Sequence, residues 1–228
     1  MVTETDQLGD VTTHYFYGEQ EEERIISDIK QGVLSTTITC YNKNFSNCPS
    51  TILSLYYGIP VVTQSDVFTQ LGPSGSWSLV EKTFDGYGNT TSESEWASGL
   101  TSPGTAPTVA ATTSTTTTYN GLNGASCGTL ANAYQYDRPC SVTTVGPSGQ
   151  VAQTNYTYTL GHPTQTSKWV SGSTYLTSTA AYNSNGTVKS TTDALLLPTS
   201  YNYNGTGGCN NLLLTSTIFA NGLSTSET

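Results

Sequence analysis

The stretch from Tyr182 to Tyr203, which reads YNSNGTVKSTTDALLLPTSYNY, decides the fold class. Its pair Asn185-Gly186 tolerates positive φ at both central positions of a type I′ hairpin turn. A β-branched segment follows at 187–192, Asp193 begins a second turn, and residues 199–203 extend the chain again. This order of strand, turn, strand, turn and strand predicts sequential antiparallel β-hairpins.

The same pattern recurs along the chain. Four tyrosines stand at intervals of 22, 24 and 21 residues, namely Tyr136, Tyr158, Tyr182 and Tyr203. Each lies beside polar residues, and related combinations of aromatic residues and glycine turns occupy 84–91 and 2–18. A recurring unit of this size predicts a repeat architecture, in which each unit packs against its neighbours.

Two copies of Gly-Pro-Ser-Gly, at 72–75 and 146–149, mark further turns. Proline presets the φ of the second turn position, and glycine supplies the conformation that leads out of the turn. Each copy separates two strand candidates, which are 61–71 and 76–84 for the first copy and 140–145 and 150–158 for the second.

Two regions fit the repeat poorly and divide the chain. An irregular insertion is expected near 19–50, inside a β-repeat region that covers 1–98. Within it, 19–29 is rich in glutamate and isoleucine, and it suits either a short helix or a charged hairpin tip joined to a strand. A connection rich in Pro, Gly and Thr at 99–111 precedes a second β-repeat region at 112–228. We interpret 112–119 as a strand because consecutive β-branched residues favour extended backbone.

The composition excludes several classes of protein. The 228 residues include 42 Thr and 27 Ser, but only 10% of residues are charged. The chain has seven Lys and Arg residues but sixteen Asp and Glu residues, so it lacks the basic surface that binds nucleic acid. It also contains too few charged helix-forming residues for a coiled coil. No apolar run is long enough to span a membrane, and the first residues lack the pattern of a signal peptide.

Five cysteines contain no Cys-x-x-Cys pair and are accompanied by only two histidines, so disulfides are the favoured use rather than a zinc site. The sequence-near pairs are Cys40 with Cys48 and Cys127 with Cys140. This scheme leaves Cys209 unpaired, with a partner expected outside the chain. Free thiols in a reducing compartment are the alternative.

No catalytic residue, cofactor or metal site is predicted. His14 and His162 are the only bases that titrate near neutral pH, and no nucleophile elbow, P-loop or zinc-protease motif accompanies them. Glu93 and Glu95 lie on one face of a predicted strand beside Trp96, which suits glycoside hydrolysis. Charged residues at such positions also block edge-to-edge association of sheets, and we favour that interpretation.

Sheet faces rich in Tyr, Asn and Thr suit carbohydrate binding, because rings stack on sugars while amides and hydroxyls bond to sugar hydroxyls. Trp96 and Trp169 are the candidate glycan contacts. The alternative role for the tyrosines is a set of cross-strand aromatic contacts that stabilise a sheet poor in aliphatic side chains.

With these motifs in place, the chain resembles the YD-repeat, or Rhs (rearrangement hotspot), family over most of its length. The matching segments are 5–9 with 15–17, 84–88, 136–137, and 182–186 continuing through 192–193 to 201–203. Several copies carry Asn or Thr in place of the aspartate of the Tyr-Asp pair.

The resemblance implies an all-β fold, with sequential antiparallel β-hairpins in an extended, twisted sheet that forms part of a shell. It also implies an internal repeat segment of a larger exported bacterial protein, secreted or on the cell surface. The expected partners are the remaining repeats of the parent chain and an enclosed toxin or effector domain. A carbohydrate-binding adhesin segment that contacts a cell-surface glycan is the alternative. Neither interpretation predicts nucleic-acid binding or membrane insertion.

Overall fold

The computed structural model describes residues 1–43, 48, 61–73, 75–100, 103, 105–121, 125–129, 135–204 and 212–226. Every helix-or-strand element within them is a β-strand. The strands are β1 (Val2–Thr5), β2 (Val11–Tyr17), β3 (Gln20–Asp28), β4 (Gly32–Tyr41), β5 (Gln64–Leu71), β6 (Trp77–Phe84), β7 (Thr90–Leu100), β8 (Thr113–Tyr119), β9 (Pro139–Gly146), β10 (Gly149–Thr159), β11 (His162–Ser171), β12 (Thr174–Tyr182), β13 (Val188–Thr192), β14 (Pro198–Asn204), β15 (Leu213–Ile218) and β16 (Ser224–Ser226).

The strands are hydrogen-bonded in the order in which they occur in the chain, from β1 to β16. Each pair whose register is described is antiparallel, as between β5 and β6 or β13 and β14. Most connections between successive strands are short, and they make this order the expected one, because an antiparallel neighbour needs only a turn. The predicted fold class of sequential antiparallel hairpins is therefore confirmed.

The described chain forms two compact units. Unit 1 contains Met1–Thr116 and Thr144–Gly149, and unit 2 contains Thr117–Thr143 and Gln150–Thr228. The buried apolar core of unit 1 is one face of β4, β5 and β6, and consists of Ile38, Cys40, Phe68, Trp77 and Leu79. In unit 2 the buried side chains include the ring of Tyr158 and the polar side chains of Asn120 and Ser167. The few buried apolar side chains of unit 1 thus lie mainly on three neighbouring strands.

Residues 20–28 form β3 rather than a helix, so the hairpin interpretation of the 19–29 segment is the correct one. The strand pairs with β2 on one side and β4 on the other, and these neighbours satisfy its backbone hydrogen bonds. Gly18 and Gly32, both at positive φ, allow the turns that flank it. The strands β3 and β4 thus lie inside the region near 19–50 where an irregular insertion is expected, and residues 44–47 and 49–50 of that region lie outside the described residues.

The strand prediction for 112–119 is confirmed by β8, which follows the Pro- and Gly-rich connection. The second Gly-Pro-Ser-Gly segment joins β9 to β10, and the first follows β5 and precedes β6. Ser74 of the first copy lies outside the described residues.

One five-residue turn recurs in both units. In each copy the N–H of the first residue donates to the carbonyl of the fifth, and the N–H of the fourth donates to the carbonyl of the first. We call this element the five-residue turn; its copies are 6–10, 85–89, 183–187, 193–197 and 219–223. Four copies carry glycine at the fourth position, where φ is positive, as at Gly186.

The turn at Asn185-Gly186 was placed correctly, but its predicted type was wrong. Only Gly186 has positive φ there, because the five-residue turn requires that conformation at its fourth position alone. The type I′ pattern of two positive φ values occurs instead at Leu160-Gly161, between β10 and β11.

Both predicted disulfides are confirmed. Cys40 bonds to Cys48, and Cys127 bonds to Cys140, each across a Cα–Cα distance of 5.4 Å. Cys209 lies outside the described residues, so its state stays a prediction. Among the residues that the structure describes, no helix is long and apolar enough to cross a membrane.

Candidate functional site

The two histidines lie in different units. His14, on β2, places Nδ1 3.2 Å from Glu21 Oε2. His162 begins β11, and its ring stacks on Tyr182 with a centroid separation of 4.7 Å. The contacts of the described residues bring no serine hydroxyl to either ring. Within the described residues, neither histidine is therefore placed beside the serine of a base–nucleophile pair.

Glu93 and Glu95 occupy alternate positions of β7 and so share one face, as predicted. Glu93 Oε2 is 2.9 Å from Lys82 Nζ on the neighbouring strand. Trp96 lies on the opposite face, where it packs against the core of unit 1 and donates its indole N–H to the Val109 carbonyl. The carboxylates and the tryptophan do not line one site, which argues against the glycoside-hydrolysis arrangement.

Trp169, on β11, is half-buried, and its indole N–H donates to the carbonyl of Gly172 at 2.9 Å. This bond ties the side chain to the turn that leads into β12. Both tryptophans are partly buried, but only Trp96 packs against the described core of unit 1.

The principal charged cluster of unit 1 was not foreseen from the sequence. Asp66 is fully buried, and Glu81 lies directly opposite it on β6. The amide of Gln64 donates to Asp66 Oδ1 at 2.8 Å and to Glu81 Oε2 at 2.9 Å. Asp66 Oδ2 is buried and has no hydrogen-bond partner among the described residues. We call Gln64, Asp66 and Glu81 the carboxyl cluster.

Burial, together with the neighbouring carboxyl group of Glu81, raises the pKa of Asp66 from its ordinary value of 3.8 to about 6, although the Gln64 hydrogen bond acts to lower it. A proton held between the two carboxyl groups relieves their repulsion. The cluster can therefore bind a proton near neutral pH, and it faces the core and the Cys40–Cys48 disulfide.

A sequence signal for this cluster was present. Gln64, Asp66 and Phe68 alternate along one strand, so the two polar residues share the face of the buried phenylalanine. The alternation of side chains along a strand is enough to predict that the carboxylate of Asp66 lies on the same face as Phe68. The sequence did not indicate which residue of β6 lies opposite Asp66.

The recurring tyrosines have a structural role in unit 2. The Tyr158 hydroxyl donates to the Pro139 carbonyl, and the Tyr182 hydroxyl donates to the Pro163 carbonyl, both at 3.0 Å and both across 19 residues. Burial raises the pKa of both hydroxyls above 10. These equivalent bonds favour the cross-strand role of the tyrosines over a catalytic one.

Two tyrosines of β14, the recurring Tyr203 and its neighbour Tyr201, line an open groove of about 520 Å³ in unit 2. We call it the tyrosine groove; the residues that line it include Tyr201, Tyr203, Lys189, Asn183, Asn185 and Asn202. Tyr201 and Tyr203 alternate on β14 and so share a face, while Lys189 stands on the adjacent strand. Rings, amides and one ammonium group are chemically suited to a polyhydroxylated ligand.

No protein-family model matches the chain, and no curated protein matches it significantly in sequence. Within the described residues, no group of three or more His, Cys, Asp and Glu side chains is placed to hold a metal ion.

Proposed function

We propose that this chain is a non-catalytic structural repeat segment of an exported bacterial YD-repeat (Rhs) protein. It contributes hairpins to a β-shell that encloses or presents a toxin or effector domain carried elsewhere in the parent protein. The observation that supports this most is the five-residue turn, which recurs with the same two backbone hydrogen bonds in five places.

In three copies of this turn the first residue is an aspartate, and its side chain stabilises the turn. In three copies the same carboxylate oxygen accepts the N–H groups of the third and fifth residues, as Asp193 does from Leu195 and Leu197. Asp6 and Asp85 make the equivalent bonds. An aspartate directly after a strand therefore closes a hairpin, which is what a repeat of hairpins needs at each reversal.

Two further observations favour an exported structural protein. Both described disulfides are of the kind that persists in oxidising compartments. Because the strands follow one another in the sheet as they do in the chain, β1 and β16 are the two edge strands. Neighbouring repeats can add strands there through the same kind of backbone hydrogen bond.

Hydrogen exchange tests this proposal. Amide exchange would be compared between this chain alone and the full parent protein, obtained from the coding sequence on both sides of the segment. We expect the amides on the unpaired edges of β1 and β16 to be protected only in the full protein, because only there do these strands gain a second neighbour. The central strands β5 and β6 are the control and are expected to be protected in both. Equal, rapid exchange of β1 and β16 in the two forms would contradict a shared β-shell.

The tyrosine groove favours carbohydrate binding as a second candidate function. The expected ligand is an oligosaccharide, with sugar faces on Tyr201 and Tyr203 and hydroxyls on the amides and Lys189. A glycan array followed by calorimetry tests it. Tyr203→Ala and Trp169→Ala distinguish the groove from the predicted tryptophan contact, and Tyr87→Ala in unit 1 is the matched control. The adhesin function fails if no glycan binds, or if Tyr87→Ala weakens binding as much as the other two.

A further inference from the structure

The two carboxyl groups of the carboxyl cluster are forced close together by the sheet. Phe84 donates its N–H to the Thr63 carbonyl at 2.9 Å, which makes these two residues a hydrogen-bonded pair. Because hydrogen-bonded and non-hydrogen-bonded pairs alternate along an antiparallel ladder, Asp66 and Glu81, three steps further on, form a non-hydrogen-bonded pair. Such pairs bring opposing side chains closest, with Cα atoms about 4.5 Å apart.

The groups around the pair do not neutralise two negative charges. On β4, the residue opposite Asp66 is Cys40, which is held in a disulfide and carries no charge. On β7, the residue opposite Glu81 is Ser94. Among the described residues, Lys43, after β4, is the one cation with an electrostatic effect on Asp66, and its side chain is exposed. Gln64 supplies one neutral amide to both acids.

We propose that the carboxyl cluster is a proton-binding switch in unit 1, which holds one proton shared by Asp66 and Glu81 and loses stability when that proton dissociates. The unpartnered Asp66 Oδ2 is the second observation that supports this, because a fully buried carboxylate oxygen without a donor is tolerated far better in the protonated pair than as a free charge. The switch is independent of the proposed role as a repeat segment.

The sign of the pH dependence follows from linkage. The folded chain binds the proton more tightly than the unfolded chain, since the pKa of Asp66 is raised from 3.8 to about 6. The resulting stability is fully present below about pH 4 and is lost as pH rises through about 6. Two pKa units correspond to roughly a 100-fold change in the unfolding equilibrium constant. Asp28 and Asp85 have lowered pKa values and act in the opposite direction, but only below about pH 4.

Thermal unfolding between about pH 4 and 7 tests the switch in the intact, oxidised chain. We expect the Tm of the wild type to fall by roughly 5 to 10 °C across this range. Asp66→Asn removes the titrating group of the cluster and should make the profile less steep, while Glu23, whose pKa burial also raises, leaves a smaller slope of the same sign. Glu93→Gln is the matched control, because it removes a partly exposed carboxylate on β7 that is paired with Lys82, and it should leave the slope unchanged.

A direct titration keeps the test decisive if Asp66→Asn does not fold. Carbonyl-carbon NMR of the wild-type chain would report the macroscopic pKa of the pair. A midpoint near 6 that moves in Glu81→Gln supports the switch. A midpoint in the ordinary range near 4, or an Asp66→Asn variant that retains the wild-type slope, would overturn it.

Discussion

Leu196 occupies the fourth position of a five-residue turn at φ 62°, where the other four copies carry glycine. Its side chain is 79% exposed, so no packing in the described structure compensates for the backbone conformation. An L-residue in the left-handed region crowds its Cβ against the following carbonyl. The turn at 193–197 is consequently the strained copy of the set.

Replacing this residue tests that interpretation. Leu196→Gly should raise the free energy of unfolding by about 1 kcal/mol, since relief of the steric crowding exceeds the added entropy of the unfolded chain. The measurement is urea unfolding monitored by circular dichroism. Leu195→Gly is the matched control: it is equally exposed but lacks positive φ, and it should lower stability by about 0.5 to 1 kcal/mol. If Leu196→Gly and Leu195→Gly destabilise the protein equally, the backbone at Leu196 is not strained.

Asp85 shows what the repeated aspartate contributes. Burial acts to raise its pKa, but hydrogen bonds from Asn89 and from the Tyr87 N–H outweigh burial and hold the pKa below its ordinary value. A carboxylate so placed stabilises the folded turn most above pH 4 and loses that effect as it is protonated in acid.

Asp85→Ala is therefore expected to lower the free energy of unfolding by about 1 kcal/mol at pH 7 and by less at pH 3, with solvent screening limiting the effect. Chemical unfolding at the two pH values measures it. Asp137→Ala serves as the comparison, because its ion pair with Arg138 is exposed and joins adjacent residues. An Asp85→Ala loss that does not shrink in acid would mean that the charge of the carboxylate has no part in closing the turn.

At the scale of elements, the disulfides stabilise loops between neighbouring strands. Cys40–Cys48 closes a separation of 8 residues and Cys127–Cys140 one of 13. Cys40 also belongs to the buried core of unit 1, whereas the second bridge joins β9 to the segment around Gly128, which bridges to Tyr158.

Thiol titration of the unfolded, unreduced chain should find a single free thiol, Cys209. Converting either bonded pair to alanine should lower the free energy of unfolding by about 2 to 3 kcal/mol, because closing a loop of this size restricts the unfolded chain. Five free thiols would reject both bridges, and a bond from Cys209 to any of the other four would show that the pairing is wrong.

On the scale of the whole molecule, β1 and β16 are the two edge strands of the sheet. The side chains of β1 and of β16 are exposed throughout. Edge strands present unpaired backbone groups that pair readily with other chains, and neither of these strands carries the lysine or proline that usually blocks such pairing.

Sedimentation velocity of the isolated chain should therefore show association that increases with concentration. A variant with Thr3→Lys and Thr225→Lys should shift the distribution towards monomer, while Thr164→Lys, on the internal strand β11, is the matched control for added charge. A wild-type chain that stays monomeric at all concentrations and melts in one sharp transition would contradict this prediction.

Much of the fold could be read from local chemistry. The turn at 183–187, the strand at 113–119 and both disulfides follow from glycine, β-branched residues and short cysteine spacings, whose effects reach only a few residues along the chain. The segment 19–29 was ambiguous for the same reason. Its glutamates and isoleucines suit a helix or a strand, and hydrogen bonds from β2 and β4 decided between them.

The sequence by itself determined that this protein is a succession of β-hairpins closed by glycine and aspartate turns. Only the tertiary structure decided which side chains meet across those hairpins: Asp66 with Glu81 in the core, Trp96 on the face opposite Glu93, and Tyr201 with Lys189 along the tyrosine groove. The physical reason is register. Strand period assigns residues to two faces, but the partner on the next strand depends on turn length and bulges, and a slip of one residue exchanges the faces.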